Sequence, residues 1–162
     1  MTTWTVYLAG EIHSDWRDRI AAGVQDAGLE VELTGPVTEH ADSDDCGAVI
    51  LGEPCPGDGA NAFWRDRIGA SMNALRTRTC LKQADVVVAR FGDTYRQWNA
   101  AFDAGQAAAA GTALITLHDA SLDHAMKEVD AAALVVCRTP EQVVEALRYA
   151  MRGELRRSPV AP

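Results

Sequence analysis

Five short apolar runs along the chain have the pattern of β-strands. They cover residues 3–9, 29–34, the Val-rich run between Asp85 and Gly92, 112–117 and 133–137. Between them, apolar residues recur every three to four positions, the period of an amphipathic helix. The predicted helices run from Ser14 to just before Gly28 and over 61–83, 97–111, 122–132 and 140–153. This alternation predicts an α/β fold, because parallel neighbours need helical crossovers.

The character of each strand predicts its place in the sheet. The run after Asp85 is apolar throughout, which is typical of a strand buried on both faces, so we place it in the centre. Residues 29–34 alternate apolar and polar side chains, which is typical of an edge strand with one covered face. Both features fit a three-layer, flavodoxin-like (Rossmann-like) α/β fold with a five-stranded parallel sheet in the order 2-1-3-4-5. In such a sheet, a ligand crevice is expected beyond the carboxyl ends of strands one and three.

A single domain is expected over residues 1–153, because a chain of 162 residues fits one hydrophobic core. Residues 35–60 are rich in Gly, Pro, Asp and Glu, and we predict a loop there. A loop of this length is either a solvated acidic insertion or a lid over a site. Residues 154–162 are predicted to form a disordered tail.

The helix after the central strand carries two stripes of side chains. The apolar stripe, at positions i, i+4, i+7 and i+11, consists of Trp98, Phe102, Gly105 and Ala109. We expect this stripe to pack on the sheet. The polar stripe consists of Asn99, Asp103 and Gln106. A carboxylate between two amides on an Ala-rich helix is a candidate reaction centre, or else an ordinary solvent-facing side chain.

The formal net charge of −8 restricts the expected partners. A nucleic acid polymer is not expected, because binding to it draws free energy from Lys and Arg at phosphates. No membrane partner is expected either, since no apolar run approaches the ~20 residues that span a bilayer. The first strand pattern begins at once, without the basic and apolar segments of a secretory signal, so the predicted compartment is the cytoplasm.

Cysteine and glycine spacing excludes several kinds of site. The four cysteines are widely spaced and are expected to be mostly structural, reduced thiols. Neither they nor the four histidines show the short spacing of a structural metal site, so no metal is expected. No P-loop and no dinucleotide fingerprint is present, and no cofactor is expected.

The predicted topology brings polar side chains from two loops and one helix to a single crevice. They are Glu11, His13, Asp93, Gln97, Asn99 and Asp103. Several carboxylates in a partly dry cleft push their pKa values apart, so that one serves as an acid while another is the base or nucleophile. Cleavage of a glycosidic bond uses this chemistry, with amides to hold the sugar hydroxyls. Tyr7, Tyr95 and Trp98 are candidates to stack on a base.

Three segments together resemble a known family. They are Tyr7-Leu8-Ala9-Gly10, Ala84-Asp85-Val86-Val87-Val88 and Asp103-Ala104-Gly105-Gln106-Ala107. They look like the nucleoside 2-deoxyribosyltransferase superfamily, over most of residues 4–150. More narrowly, residues 9–13, 90–93 and 97–105 resemble its YtoQ branch.

The resemblance implies a homo-oligomeric protein with a carboxylate nucleophile at Asp103. Transferases of the family carry Glu at this position, and the shorter Asp sets the carboxylate about an ångström further back. Family members that process deoxynucleosides also tend to have an Asp six residues before the nucleophile. Here that position is Gln97, which leaves Asp93 as the nearby replacement.

Our first hypothesis is an enzyme, transferase or hydrolase, that acts at the N-glycosidic carbon of a nucleoside or nucleotide. Asp103 is the nucleophile or charge stabiliser, and Asp93 or Glu11 is the acid/base. Glu11 fits a helix-capping role equally well and occupies space that a 5′-phosphate would use. The candidate substrate-binding residues are Tyr7, Gly10, His13, Arg90, Gln97, Trp98 and Asn99. The alternatives are a noncatalytic protein that binds a nucleotide-derived metabolite in the same crevice, and an oligomeric interaction protein.

Overall fold

The computed structural model describes residues 2–52 and 62–156. The strands are β1 (Trp4–Gly10), β2 (Val31–Thr34), β3 (Val86–Phe91), β4 (Ala113–His118) and β5 (Val135–Cys137). The helices are α1 (Trp16–Asp26), α2 (His40–Leu51), α3 (Ala62–Gln83), α4 (Trp98–Ala110), α5 (Asp123–Ala132) and α6 (Pro140–Arg152). A single 3₁₀ turn, Ala120–Leu122, precedes α5.

The five strands form one parallel sheet in the order β2-β1-β3-β4-β5. Strand β3 pairs with β1 on one side and with β4 on the other, and residues 86–89 of β3 are buried. Strand β2 pairs with β1 and lies at an edge of the sheet. The predicted α/β fold, strand order, central strand and edge strand are therefore confirmed.

Helices cover both faces of the sheet and form two separate cores. On one face, α1 and α6 pack on the sheet through Trp16, Ile20, Val24, Val143 and Leu147. On the other face, α4 and the end of α3 pack on it through Leu81, Ala100, Ala104 and Ala107. This places α3 and α4 together at the carboxyl ends of β1 and β3, where the crevice was expected.

The prediction of a loop over residues 35–60 is wrong for the part that forms α2. Locally, the Asp and Ser residues of this segment favour turns, but α2 is held by its contact with α3. A Cβ atom on Gly47 would lie 2.4 Å from the backbone carbon of Ile68, and one on Gly69 would lie 2.8 Å from the carbonyl oxygen of Asp44. The two glycines thus let the helix backbones touch. Residues 53–61 of the predicted loop lie outside the described residues.

The expectation that the apolar stripe of α4 packs on the sheet is also wrong. Trp98 is 70% exposed and Phe102 is 62% exposed. The face that packs on the sheet is instead formed by alanines. Small side chains allow the helix to lie close to the sheet, and they leave the larger apolar side chains pointing away from it.

The remaining expectations concern the termini, the cysteines and membrane or metal binding. Helix α6 begins at Pro140 and ends at a left-handed Gly153, as predicted; of the predicted tail, residues 157–162 lie outside the described residues. Cys46, Cys80 and Cys137 are free thiols, and Cys55 is not among the described residues. Within residues 2–52 and 62–156, no helix has the length and apolar character to cross a membrane. In the same ranges, no three His, Cys, Asp or Glu side chains are grouped closely enough to hold a metal ion.

Candidate functional site

A pocket of about 710 Å³ lies beyond the carboxyl ends of β1 and β3. Its first wall is the turn after β1, residues 10–13, and its second is the segment that leads into α4 together with the first half of that helix. Its third wall is the helical pair α2 and α3. The part of residues 35–60 that folds as α2 is therefore a wall of the pocket.

Helix α3 contributes one continuous face to the pocket. The residues of this face, at i, i+3, i+4, i+7, i+8 and i+11, are Asp66, Gly69, Ala70, Asn73, Ala74 and Thr77, and the pocket is also lined by Arg76 and Arg78 of the same helix. Sequence reasoning missed this face, as it missed His40, Ser43 and Asp44 of α2. A signal was present, because small and polar residues at helical spacing mark a helix face that is neither core nor charged surface.

The structure brings most of the predicted site residues together. Seven of the ten line the pocket, namely Gly10, Glu11, His13, Gln97, Trp98, Asn99 and Asp103. The other three, Tyr7, Arg90 and Asp93, lie outside the lining. Asp93 is exposed and accepts a hydrogen bond from the Thr94 hydroxyl at 3.4 Å, whereas Arg90 donates to the carbonyl of Leu117 at 3.4 Å.

Asp103 is a half-buried carboxyl on the pocket side of α4. Burial raises its pKa to about 6, because the charged form loses solvation. A carboxylate with this pKa is ionised at neutral pH, yet it is more basic than an exposed one. It can therefore act either as a nucleophile or as a base.

Tyr7 lies in the core close to Asp103. Its side chain is fully buried, and its hydroxyl makes no well-aligned hydrogen bond in the described part of the chain, although Thr77 lies beside it. Burial raises the pKa of this phenol, and the negative charge of Asp103 adds to the effect. The hydroxyl is thus a neutral donor with unused capacity next to the carboxylate.

The turn after β1 is rigidly held. Gly10 has a φ of +110°, and a Cβ atom there would lie 2.1 Å from the carbonyl oxygen of Arg90, so the chain needs glycine at this point. The Glu11 carbonyl accepts hydrogen bonds from the Trp16 indole at 2.7 Å and from Arg17 at 2.6 Å. Arg17 also donates to the carbonyls of Leu8 and Gly10. Its guanidinium is therefore bound to backbone carbonyl groups and is not free to bind an anion.

The Glu11 side chain completes this turn. Its carboxylate accepts hydrogen bonds from the backbone amide of His13 and from the Ser14 hydroxyl. Burial alone would raise its pKa, but these two hydrogen bonds, aided by the nearby His13 and Arg90, hold the pKa below its usual value. Of the two roles that the sequence left open for Glu11, the contacts favour the one that shapes the loop over that of an acid.

Replacing Glu11 by glutamine is expected to lower the free energy of unfolding at pH 7 by about 1–2 kcal/mol. Hydrogen bonds to a charged acceptor are lost, and an amide NH₂ group is placed against a donor. Because the folded-state pKa is depressed, the stabilisation exists above the unfolded-state pKa and is lost as the pH falls through the folded-state value. The measurement is the melting temperature of both proteins from pH 7 down to pH 3.

For the matched control, Glu30→Gln changes an exposed carboxyl next to β2. This variant should melt like the parent at every pH. A Glu11→Gln protein that melts no earlier than the Glu30→Gln protein at pH 7 would contradict the structural role of Glu11.

Aromatic rings meet at the pocket between the two loops and α2. The His13 ring lies 4.6 Å from the Tyr95 ring and is stacked on the His40 ring at 5.7 Å. All three residues line the pocket. Flat rings at the rim of a pocket provide a stacking surface for another flat group.

The segment that enters α4 provides amide groups. Gln97 accepts a hydrogen bond from the Gly92 amide at 3.2 Å, and its buried Nε2 has no hydrogen-bond partner within the described residues. Asn99 is exposed at the rim. The side-chain nitrogen of Gln97 is therefore a buried donor without a partner in the described residues, on a residue that lines the pocket.

Fold and pocket define an α/β protein of the flavodoxin-like class, with a pocket at the carboxyl edge of its sheet. More narrowly, the chain belongs to the family described as "Nucleoside 2-deoxyribosyltransferase YtoQ", whose model matches residues 7–151. The resemblance drawn from the sequence motifs is thus confirmed.

One protein of known sequence and two of known structure are similar to this chain. The chain is 39% identical to the protein named "Uncharacterized protein YtoQ" of Bacillus subtilis over 150 residues, which cover 92% of this chain and 97% of that one. A conserved protein of Enterococcus faecalis with a crystal structure is 15% identical, with a TM-score of 0.62 over 92% of this chain and 99% of that one, and shares the fold. A 2-deoxyribosyltransferase from Bacillus psychrosaccharolyticus is 16% identical, with a TM-score of 0.47 over 86% of this chain and 90% of that one.

Proposed function

We propose that this protein is an enzyme that cleaves or transfers at the N-glycosidic carbon of a nucleoside, with Asp103 as the nucleophile. The observation that carries the proposal is the position of Asp103, a half-buried carboxyl in the wall of a 710 Å³ pocket. A pocket of this volume fits a small molecule of nucleoside size. Membership of the nucleoside 2-deoxyribosyltransferase-like family supports the same reaction class.

In the proposed reaction, the Asp103 carboxylate attacks the anomeric carbon of the sugar. The bond from that carbon to the base nitrogen breaks, and its electron pair leaves with the base, which takes up a proton. Water or a second base then attacks the same carbon and gives up a proton to the group that protonated the first base, and the bond to the Asp103 oxygen breaks to regenerate the carboxylate. Hydrolysis results in the first case and transfer in the second.

Neighbouring groups support this role for Asp103. We assign the buried Tyr7 hydroxyl as a positioning donor for the Asp103 carboxylate, since it lies close by without a well-aligned partner. The free Nε2 of Gln97 and the side chain of Asn99 are the proposed donors to sugar hydroxyls. The rings of His13, Tyr95 and Trp98 offer the stacking surface for the base.

Two further roles follow from the sequence hypothesis. The sequence hypothesis names Asp93 as the group that protonates the leaving base, but Asp93 lies outside the pocket lining, whereas Asp66 on the α3 wall is a carboxyl of the pocket. An Asp93→Asn and an Asp66→Asn variant, compared for kcat, identify which carboxyl supplies the proton. The turn after β1 disfavours a 5′-phosphate at that point, because the Glu11 carboxylate already accepts the amide and hydroxyl donors of the turn, whereas Arg76, Arg78 and Arg96 also line the pocket.

We also propose that the protein works in the cytoplasm as a homo-oligomer. The supporting observation is the family resemblance of the motifs around Gly10 and Asp103. The net charge of −8 supports a small molecule, rather than a nucleic acid polymer, as the ligand.

The test is an assay of base release from a panel of ribo- and 2′-deoxyribonucleosides, with and without a second free base. We expect turnover whose kcat/KM rises with pH through an apparent pKa near 6, because only ionised Asp103 attacks. Turnover whose kcat/KM does not change with pH near 6 would argue against Asp103 as the nucleophile. A protein that releases no base, but whose melting temperature rises with one nucleoside, would instead fit the noncatalytic binding hypothesis.

A further inference from the structure

Three arginines of the pocket have no carboxylate partner within the described residues. They are Arg76 and Arg78 on α3 and Arg96 in the segment that leads into α4. Arg76 donates one hydrogen bond, to the carbonyl of Gly35 at 3.1 Å. Arg96 lies over the Trp98 ring, 5.7 Å from its centre. For Arg78, no hydrogen bond or ion pair exists in the same part of the chain.

Most other arginines of the described residues are bound within the chain. Those paired with a carboxylate are Arg19, Arg65, Arg138 and Arg148. Those that donate to backbone carbonyls are Arg17, Arg90 and Arg152. A chain with 23 acidic and 15 basic residues offers a partner for nearly every cation. Arginines that stay without a carboxylate at one pocket are therefore the arrangement expected where the partner is an anionic ligand.

The negative and positive charges of the pocket lie at different places along α3. Asp66 belongs to the first half of the helix, and Arg76 lies ten residues further on, or about 15 Å along the axis. Asp44 of α2 lies beside the first half, since its carbonyl oxygen is 2.8 Å from where a Cβ atom on Gly69 would be. Residues 73–83, the second half of α3, contain no acidic residue. That half thus gives the pocket a positively charged wall.

Arg76 lies near the carboxylate that we propose as the nucleophile. Burial is the main cause of the raised pKa of Tyr7, the charge of Asp103 adds to it, and the charge of Arg76 opposes it. Both charged side chains therefore lie close to the Tyr7 hydroxyl. Thr77, which lies between the two arginines in the sequence and lines the pocket, is beside the same hydroxyl. A single small molecule can reach Asp103 and this part of α3 together.

We propose that the pocket takes a nucleoside 5′-monophosphate, and that Arg76 and Arg78 bind its phosphate. The placement of the sugar at Asp103 rests on the proposed function. The base then lies against the rings at the rim, and the phosphate lies on the α3 side of the sugar, away from the turn after β1. Arg96 is on the wall with the stacking rings and is not part of the phosphate site.

The chemistry of the two α3 arginines suits a phosphate monoester. A guanidinium donates two parallel N–H bonds to phosphate oxygens. Arg76 and Arg78 leave the helix on either side of Thr77, and their long, flexible side chains can meet over a group bound at Thr77. The Thr77 hydroxyl adds a further donor. Arg78 gives up no partner of the described residues when it binds.

A comparison of matched ligands and matched variants tests the phosphate site. Isothermal titration calorimetry measures the Kd of the common ribo- and 2′-deoxyribonucleosides, their 5′- and 3′-monophosphates, and inorganic phosphate. The variants of the full chain are Arg76→Gln, Arg78→Gln and the double variant, each checked for folding by circular dichroism. The matched control is Arg67→Gln, because Arg67 is exposed on the same helix and does not line the pocket.

We expect at least one 5′-monophosphate to bind roughly 10- to 100-fold more tightly than its nucleoside, as charge-assisted hydrogen bonds allow. Arg78→Gln should reduce this advantage by about 10-fold, and the double variant should remove it. Rising salt should reduce it as well, since exposed charges are screened. The Arg67→Gln protein should bind like the wild type.

Several results would overturn the phosphate site. They are 5′-monophosphates that bind no more tightly than their nucleosides or do not bind at all, and an advantage that survives in the double variant. An equal loss in Arg67→Gln would show a general effect of charge. Equal binding of 3′-monophosphates or of inorganic phosphate would show that the arginines do not belong to a site for this ligand.

The phosphate site and the proposed reaction can fail separately, because binding is measured without turnover. Base release from nucleosides with no tighter binding of any 5′-monophosphate would overturn the phosphate site and leave the reaction. Tight binding of a 5′-monophosphate that depends on Arg76 and Arg78, with no base release from it or from nucleosides, would overturn the reaction and leave the phosphate site.

Discussion

Replacing Asp103 by asparagine is expected to abolish nucleoside turnover and, at the same time, to make the folded protein more stable above pH 7. Loss of the proposed nucleophile should reduce kcat by at least about 10³-fold. The gain in stability has a separate cause, which is the cost of holding a charged carboxylate in a half-buried position. Asparagine has nearly the same shape and carries no charge to desolvate.

The sign of the stability change follows from the pKa. The pKa of Asp103 is about 6 in the folded protein, above the ~3.9 of an unfolded chain. The folded state therefore prefers the protonated carboxyl, and stability that is present at pH 4 is lost as the pH rises through 6. At pH 8 the variant should be more stable by about 2 kcal/mol, or roughly 4–8 °C in melting temperature. The difference should shrink towards zero near pH 4.

The control for this experiment is Asp44→Asn, the same change at an exposed carboxyl on the α2 wall of the pocket. It should leave the melting temperature unchanged at both pH values. Retention of turnover by Asp103→Asn would remove Asp103 as the nucleophile. A variant that is less stable than the parent at pH 8 would show that the carboxylate is stabilised by contacts instead of being strained by burial.

The fold could be predicted from the sequence because its strands are unambiguous. The run at residues 86–89 has no polar residue, and a strand of that kind has few places other than the centre of a parallel sheet. The alternation at residues 31–34 marked the edge for the same reason. Pro140 and Gly153 each mark a helix end by their backbone preference, so α6 was placed to within a residue.

Helix α2 could not be predicted because its stability is not local. The segment from His40 to Leu51 contains Asp, Ser and Gly residues that favour turns, and its amphipathic pattern is weak. What holds it is backbone contact at Gly47 and Gly69, together with a hydrogen bond from Asn73 to the carbonyl of Ser43 at 2.9 Å. These partners are more than twenty residues apart, and no window of sequence shows them together. The α2 wall of the pocket was missed with the helix.

The orientation of α4 was predicted wrongly for a different reason. Hydrophobic periodicity assigns the most apolar stripe to the core, and on α4 that stripe contains Trp98 and Phe102. Both faces of this helix are apolar, however, and the alanine face fits the sheet more closely. Periodicity alone cannot decide which of two apolar faces of one helix packs on the sheet.

The position of the pocket could be predicted because topology brings the loops after β1 and β3 together whatever their side chains are. Which side chains then face the pocket depends on the local backbone. Glu11 turned back onto its own loop, and Asp93 stayed at the surface, because the hydrogen bonds of each turn decided the direction. Sequence order does not contain that information.

A buried polar cluster around His118 also escaped prediction, and the fold should be sensitive to its loss. His118 and Thr116 on β4 have no exposed surface. Asp130 on α5 accepts a hydrogen bond from the Thr116 hydroxyl at 2.7 Å, and its two carboxylate oxygens lie 3.0 Å from His118 Nε2. Arg138, after β5, donates to Asp123 at 2.5 Å and lies 3.2 Å from His118 Nδ1. The cluster ties β4, α5 and the entry to α6 together.

Replacing Asp130 by alanine is expected to lower the free energy of unfolding by about 3–5 kcal/mol. The change leaves the Thr116 hydroxyl and the His118 ring buried without their common partner, and a buried polar group that loses its partner bears its full desolvation cost. Chemical denaturation at neutral pH measures the change directly. Asp123→Ala is the matched control on the same helix, and because its pair with Arg138 is half-exposed, it should cost no more than about 1 kcal/mol.

The loss of unfolding free energy in the Asp130→Ala protein should come from the contacts of the whole cluster and not from Asp130 alone. If so, Thr116→Val combined with Asp130→Ala costs less than the sum of the two single changes, because the valine removes the hydroxyl that the alanine leaves unpaired. Two results would contradict this. One is a double variant whose loss of unfolding free energy equals the sum of the two single losses, and the other is an Asp130→Ala protein as stable as the Asp123→Ala protein. Either would mean that water replaces the carboxylate at no cost. In that case the three elements around β4 would be held by their apolar contacts alone.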